Sequence, residues 1–210
     1  MPYGEKTKKE LLSYADKILK FFKSKDAKAV IMACNTTSSM IYDDIKEKYG
    51  LKIYPIIQTV AKDLAKYEKI AVFATPATVN SDAYQNEIHK YNKNSHIVQI
   101  ACPKWVKIVE ENKVNSRETL DFICEKFDEL NGFEPDKIIL GCTHYPYLLN
   151  VLSNFAPREI FIDPAEIFAK SIMNDLKSTN DKSGFEEFYV SSNPEKFQLS
   201  SYTYFLKLFK

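Results

Sequence analysis

The chain has 210 residues, with 29 basic against 28 acidic side chains, a formal net charge of +1 and only 5 glycines. Those glycines are scattered, so neither the G-x-G-x-x-G turn nor the G-x-x-x-x-G-K-[ST] loop can be written with them, and both need clustered glycine to let backbone approach a phosphate. Only Arg117 and Arg158 are arginines; with the neutral charge balance, this speaks against reading nucleic acid through arginine forks on a basic face.

In chain order, residues 8–24 place Leu11, Leu12, Ala15, Ile18, Leu19 and Phe22 at helical spacing and predict an amphipathic helix. The apolar run 28–33 predicts a strand buried on both faces. The hydroxyl-rich 35–39 supplies N-cap chemistry for a helix over 38–48. A strand over 52–57 carries Pro55, which marks an end or an irregularity, and a short helix covers 59–67. The alternation then repeats. Strand 69–74 leads through Thr75–Asn80 into a helix reaching about residue 92, and strand 96–101 precedes helices over 103–130. Strand 137–140 enters Gly-Cys-Thr-His-Tyr-Pro, followed by helix 146–154 and strand 159–162. Asp163-Pro164 opens a helix to 177 with proline in its first turn. Residues 178–184 read as a linker, 186–191 as a strand and 194–209 as a final helix. Strands alternating with helices imply a parallel α/β architecture.

No apolar run approaches the 18 residues of a membrane span, and the first residues lack an apolar signal core. Cys34, Cys102, Cys124 and Cys142 form no C-x-x-C pair and are accompanied by three histidines. That argues against a zinc site or a disulfide framework and for reduced thiols in the cytoplasm. Neither nucleic acid nor a membrane is therefore expected as a partner.

One internal echo carries the functional argument. Residues 28–36 and 136–144 align without gaps, each a buried strand running through a small residue into Cys34 or Cys142 and then polar residues. The echo implies two similar α/β halves with one thiol each at the carboxyl end of a strand, where open α/β sheets bind ligands. A helix N-terminus at that place lowers a thiol pKa. Two such thiols suit removal of an α-proton on one face of a carbon and return on the other, the logic of a cofactor-independent racemase. Asn35, Thr36, Thr143 and His144 then supply hydrogen bonds to the substrate and to its developing charge. Cys102, ahead of Pro103-Lys104-Trp105, and Cys124, among Phe122, Ile123 and Phe127, read as packing residues. His89 and His96 read as structural.

At Ala33-Cys34-Asn35-Thr36-Thr37-Ser38 and Gly141-Cys142-Thr143-His144-Tyr145-Pro146 the sequence resembles the bacterial glutamate racemases. Pro2-Tyr3-Gly4, Thr75 to Ser81, Ala101-Cys102-Pro103 with Val109-Glu110-Glu111, Ile162 to Glu166, and Asn193 to Phe197 extend the resemblance over essentially the whole chain. It implies two pseudosymmetric parallel-sheet α/β domains with the active site between them, namely 1–68 with 178–210, and 69–177. It implies racemisation of L- and D-glutamate without cofactor or metal, D-glutamate feeding peptidoglycan synthesis, and it allows a homodimer. By the same resemblance Cys34 and Cys142 are catalytic, with His144 assisting Cys142. Tyr3, Gly4, Asn35, Thr36, Thr75, Thr78, Thr143 and His144 contact substrate, and Glu110 lies near the site. The family's opening strand and Asp-Ser-Gly do not precede Pro2, so the first domain is expected to be N-terminally truncated. A catalytically impaired fragment serving as a binding module and a related aspartate racemase stand as the alternatives.

Overall fold

The computed structural model describes residues 3–176, 186–195 and 197–199. Residues 1–176 and 177–210 fall into two compact units. The first unit holds two parallel sheets.

The smaller sheet pairs β1 (Ala29–Met32) with β2 (Lys52–Pro55) in register Ala29↔Lys52 to Met32↔Pro55. The larger has the order β4-β3-β5-β6, with β3 (Lys69–Ala74), β4 (His96–Ala101), β5 (Lys137–Gly141) and β6 (Phe161–Ile162). Strand β3 pairs on both sides and is buried from Ile70 onwards, which is why it reads as a continuous apolar run rather than an alternating one. Each of the six strands lies where the sequence predicts it. Strand β2 stops at Pro55, whose missing N–H cannot extend a ladder.

Helix α1 (Lys8–Ser24) starts at a capping box. Thr7 Oγ1 accepts from the Glu10 N–H at 3.3 Å, while Glu10 Oε2 accepts from the Thr7 N–H at 2.9 Å. Helix α2 (Asn35–Ile45) begins three residues before the predicted start. Its hydroxyls do not cap. Thr37 and Ser39 instead donate back to the carbonyls of Cys34 and Thr36, at 3.0 and 2.9 Å, so the first turn closes directly behind Cys34. Helix α3 (Ile56–Leu64) follows β2. The helix expected after β3 is broken at Asp82, which has φ +52°, into α4 (Pro76–Asn80) and α5 (Ala83–His89). Helices α6 (Trp105–Glu110) and α7 (Arg117–Asp128) lead to β5. After β5 a 3-10 helix at Tyr145–Leu148 precedes the single turn of α8 (Leu149–Leu152), and α9 (Pro164–Asp175) follows β6.

Apolar clusters hold these layers together. Leu11, Leu19, Val30, Ile41, Ile45 and Ile53 join α1 and α2 to the small sheet. Ile57, Val60, Leu64, Ile70, Val72, Tyr84, Ile88, Ile139, Phe168 and Ile172 join α3, α5 and α9 to the large one. Helix α3 therefore precedes the large sheet in sequence but shares its core. In the second unit, the strand expected over 186–191 does not form among the described residues: 186–190 carry no regular structure, and Phe188 and Tyr189 are exposed. Residues 194–195 and 197–199 are helical, and the rest of the expected 194–209 helix lies outside the described residues.

Candidate active site

Three turns meet at the carboxyl ends of β1, β3 and β5. The first carries Cys34, Asn35 and Thr36, the second Thr75 and Thr78, the third Cys142, Thr143 and His144. Thr36 and Thr75 join the first two turns through a buried hydroxyl pair at 3.0 Å, and Thr75 continues to Thr78 Oγ1 at 3.1 Å. Thr75 also accepts the Thr78 N–H as the N-cap of α4. Gly4 is pressed against the same residue. A β-carbon there would lie 2.9 Å from Thr75 Cβ, so only glycine lets this backbone approach so closely.

Cys34 is half-buried and stands at the N-cap position of α2. It shares an apolar groove of about 160 Å³ with Tyr3, Leu11, Tyr14 and Ile31. Tyr3 rests against Tyr14, ring centres 6.2 Å apart. Burial, and then the nearby Cys34, hold its phenol above the usual range.

Cys142 departs from the expectation drawn for it. No α-helix begins behind it. The chain makes a turn into the 3-10 helix, and Pro146 in that first turn contributes no N–H. Cys142 is 7% exposed, and burial pushes its thiol up from an ordinary 9.0 to about 12. The backbone N–H groups of His144 and Tyr145 favour its thiolate, but desolvation outweighs them, and a charge on Cys34 pushes the same way as burial.

His144 stands beside Cys142, with Nδ1 3.9 Å from its Sγ. The other ring nitrogen, Nε2, is 2.7 Å from Glu110 Oε1 on α6. A carboxylate only accepts, so this contact makes Nε2 the protonated nitrogen and leaves Nδ1 free to accept from the thiol. The turn is anchored from behind. Tyr145 is fully buried, donates to the Cys102 carbonyl at 2.8 Å and packs edge-on against Trp105, which meets Phe73 in the same way.

The structure thus gathers Tyr3, Gly4, Cys34, Asn35, Thr36, Thr75, Thr78, Cys142, Thr143 and His144 around one set of strand ends. Thr143 is exposed, and no side-chain bond holds it among the described residues. Cys102 is buried, as its packing role requires, but Cys124 is exposed on α7, because that helix turns Thr119 and Ile123 inward instead. His89 bonds the Ser95 carbonyl at 2.9 Å, and His96 is exposed at the start of β4. Sequence reasoning missed Tyr84. It lies in the first turn of α5 without a motif, yet its hydroxyl donates to Asn35 Oδ1 at 2.7 Å. Only its place in the fold reveals it. Among the described residues no group of three or more His, Cys, Asp or Glu is arranged to hold a metal ion, and no helix is long and apolar enough to cross a membrane.

Known proteins share this fold. The solved glutamate racemase of Francisella tularensis, determined with D-glutamate, superimposes with a TM-score of 0.86 at 29% identity, covering 97% of this chain and 79% of that one. A glutamate racemase of Carboxydothermus hydrogenoformans is 34% identical over 196 residues, 92% of this chain and 74% of the relative. One from Trichodesmium erythraeum is 36% identical over 203 residues, 94% and 75% respectively. The family described as Asp/Glu/Hydantoin racemase matches residues 2–172, a span that takes in both cysteine turns and all six strands, and the chain belongs to that family.

Proposed function

We propose that this protein is an amino-acid racemase that interconverts L- and D-glutamate, using two thiols to move the α-proton, and so supplies D-glutamate for peptidoglycan synthesis. One observation carries the reading: a racemase-family chain brings two cysteine turns from separate sheets to adjoining strand ends, where Tyr84 touches both, its hydroxyl bonding Asn35 at 2.7 Å and its ring packing on Gly141.

The chemistry follows from that pairing. A thiolate on one face of the α-carbon takes the proton and becomes a thiol. The C–H electron pair passes into the carboxylate as an enolate. The second thiol, on the opposite face, gives its proton to the carbon and becomes a thiolate. Configuration is inverted, and the two sulfurs have exchanged roles. Cys142, held neutral by burial, is suited to begin as the donor. His144 Nδ1 is within reach to take the proton from it when the reaction runs the other way, and Glu110, by accepting from Nε2–H, fixes the neutral tautomer in which Nδ1 is the acceptor. In this reading Asn35, Thr36, Thr75, Thr78 and Thr143 donate to the substrate's carboxylates and accept from its ammonium, while Tyr3 and Gly4 cover it. No cofactor or metal is called for, because the thiols hold and move the proton themselves.

Four free cysteines suit a reducing, cytoplasmic compartment. A homodimer belongs to the proposal by resemblance alone, and sedimentation velocity decides it. Glutamate is favoured over aspartate because the relatives that match most of this chain's length are glutamate racemases. The test is incubation of the purified protein with each glutamate enantiomer, and with each aspartate enantiomer in parallel, in heavy water. Deuterium entering the glutamate α-position together with loss of optical rotation is the expected result. Turnover of aspartate alone, or no exchange with either amino acid, overturns the reading.

A further inference from the structure

Tyr84 connects the two cysteine turns without belonging to either. Its side chain is fully buried on α5. The hydroxyl donates to Oδ1 of Asn35, the residue after Cys34. The ring lies over Gly141, the residue before Cys142, where a β-carbon would come within 3.1 Å of Tyr84 Cε2. One aromatic side chain therefore touches the neighbour of each thiol.

The hydrogen bond also selects an orientation. Among the described residues the Tyr84 hydroxyl has no partner besides Asn35. Turning the Asn35 amide by 180° would offer it an NH2 group and leave the phenolic proton buried and unpaired, at a cost of about 1–3 kcal/mol. With Oδ1 held inward, Nδ2 is the free end. The fully enclosed side-chain polar atoms without a partner among the described residues are Gln99 Oε1 and Trp105 Nε1. Asn35 Nδ2 is not one of them, and no described residue accepts from it, so it opens outward as an unclaimed donor.

We infer that Tyr84 is a positioning residue for the glutamate reaction: by fixing Oδ1 of Asn35 it keeps Nδ2 aimed as a donor to a carboxylate oxygen of the substrate. The inference rests on the glutamate reading above. Burial, Asp163 and Cys142 all disfavour the phenolate of Tyr84, so the hydroxyl stays a donor through the pH range of any assay.

The test is steady-state kinetics of Tyr84→Phe, Asn35→Ala and the double variant in both directions, with the wild type in parallel and thermal melting to check folding. Tyr84→Phe keeps the ring over Gly141. It is expected to raise KM for glutamate about tenfold with kcat within about twofold, since the lost aim weakens ground state and transition state alike. Asn35→Ala is expected to raise KM to a similar extent, and adding Tyr84→Phe to it changes KM by less than about twofold. Asn35→Asp keeps the acceptor for Tyr84 but loses the donor, and is expected to raise KM even if Tyr84→Phe does not fold. An unchanged KM in Tyr84→Phe or Asn35→Asp, or an equal effect of Tyr84→Phe with and without Asn35, overturns the inference while the wild type remains active. An inert wild type overturns the glutamate reading itself.

Discussion

Glu110 Oε1 lies 2.7 Å from His144 Nε2, across the gap between α6 and the turn after β5. Its carboxylate is largely exposed, so the pair adds little to stability, about 0–1 kcal/mol. Its consequence is chemical. It decides which ring nitrogen faces the 3.9 Å contact with Cys142. Glu110→Gln is expected to lower kcat roughly tenfold while moving the melting temperature little. His144→Ala is expected to lower kcat about a hundredfold, within the range for a positioned acid or base. In both variants the direction in which Cys142 must lose its proton suffers more. Progress curves started from each pure enantiomer measure this, and equal losses in both directions would argue against a partnership with Cys142.

Cys34→Ala and Cys142→Ala are each expected to abolish net inversion, a loss of at least about a thousandfold, because one face of the α-carbon then lacks its thiol. A single-thiol variant can still exchange the α-proton of one enantiomer without inverting it. Proton NMR in heavy water, run separately on L- and D-glutamate, resolves these outcomes. Racemisation that survives both substitutions would rule out the two-thiol mechanism.

Burial of Cys142 makes stability depend on pH in a defined window. Its thiol ionises near 9.0 when exposed and near 12 in the fold. The folded state therefore keeps a proton that the unfolded state has already lost. The resulting stability is fully present below pH 9 and is lost as pH rises towards 12, with a limiting slope of about 1.4 kcal/mol per pH unit. Cys102, whose pKa burial also raises, acts in the same sense and is retained in a Cys142→Ala variant. Urea unfolding at pH 8, 9.5 and 10.5 should show a shallower alkaline loss for Cys142→Ala than for the wild type. Parallel curves would mean that Cys142 is not desolvated as described.

Thr75 joins Thr36 to Thr78 through buried hydroxyls at 3.0 and 3.1 Å. Thr75→Val preserves shape but leaves both partners without their bond, so a cost of about 1–3 kcal/mol is expected. That corresponds to a fall of several degrees in melting temperature, at about 2–4 °C per kcal/mol for a chain of this size. Calorimetry checks it. Gly4→Ala perturbs the same point from the other side, since its new methyl meets Thr75 Cβ at 2.9 Å. It is expected to raise KM with a smaller change in melting temperature, because Gly4 lies at the edge of the site and not in an apolar core.

The sequence by itself determined the six strands, the order of the helices between them and the two cysteine turns. These are local properties. Ile70 to Ala74 is apolar throughout because β3 is flanked and covered, and the echo between residues 28–36 and 136–144 survives because each turn does similar work at the end of its own strand. Helix starts were less legible. Thr37 and Ser39 resemble caps but bond backwards, and this is settled by side-chain rotamers. The strand expected over 186–191 had the right pattern yet gained no ladder among the described residues, because a strand needs a partner that its own composition does not supply. Tertiary structure alone decided three further matters. Helix α3 joins the large-sheet core, since its apolar face finds α5 and α9. Cys142 is raised and not lowered, since burial depends on what packs around it and here exceeds the pull of two backbone N–H groups. Tyr84 meets Asn35 across 49 positions of sequence. No spacing rule reaches that far, because the contact exists only once the separately formed turns are brought against one another.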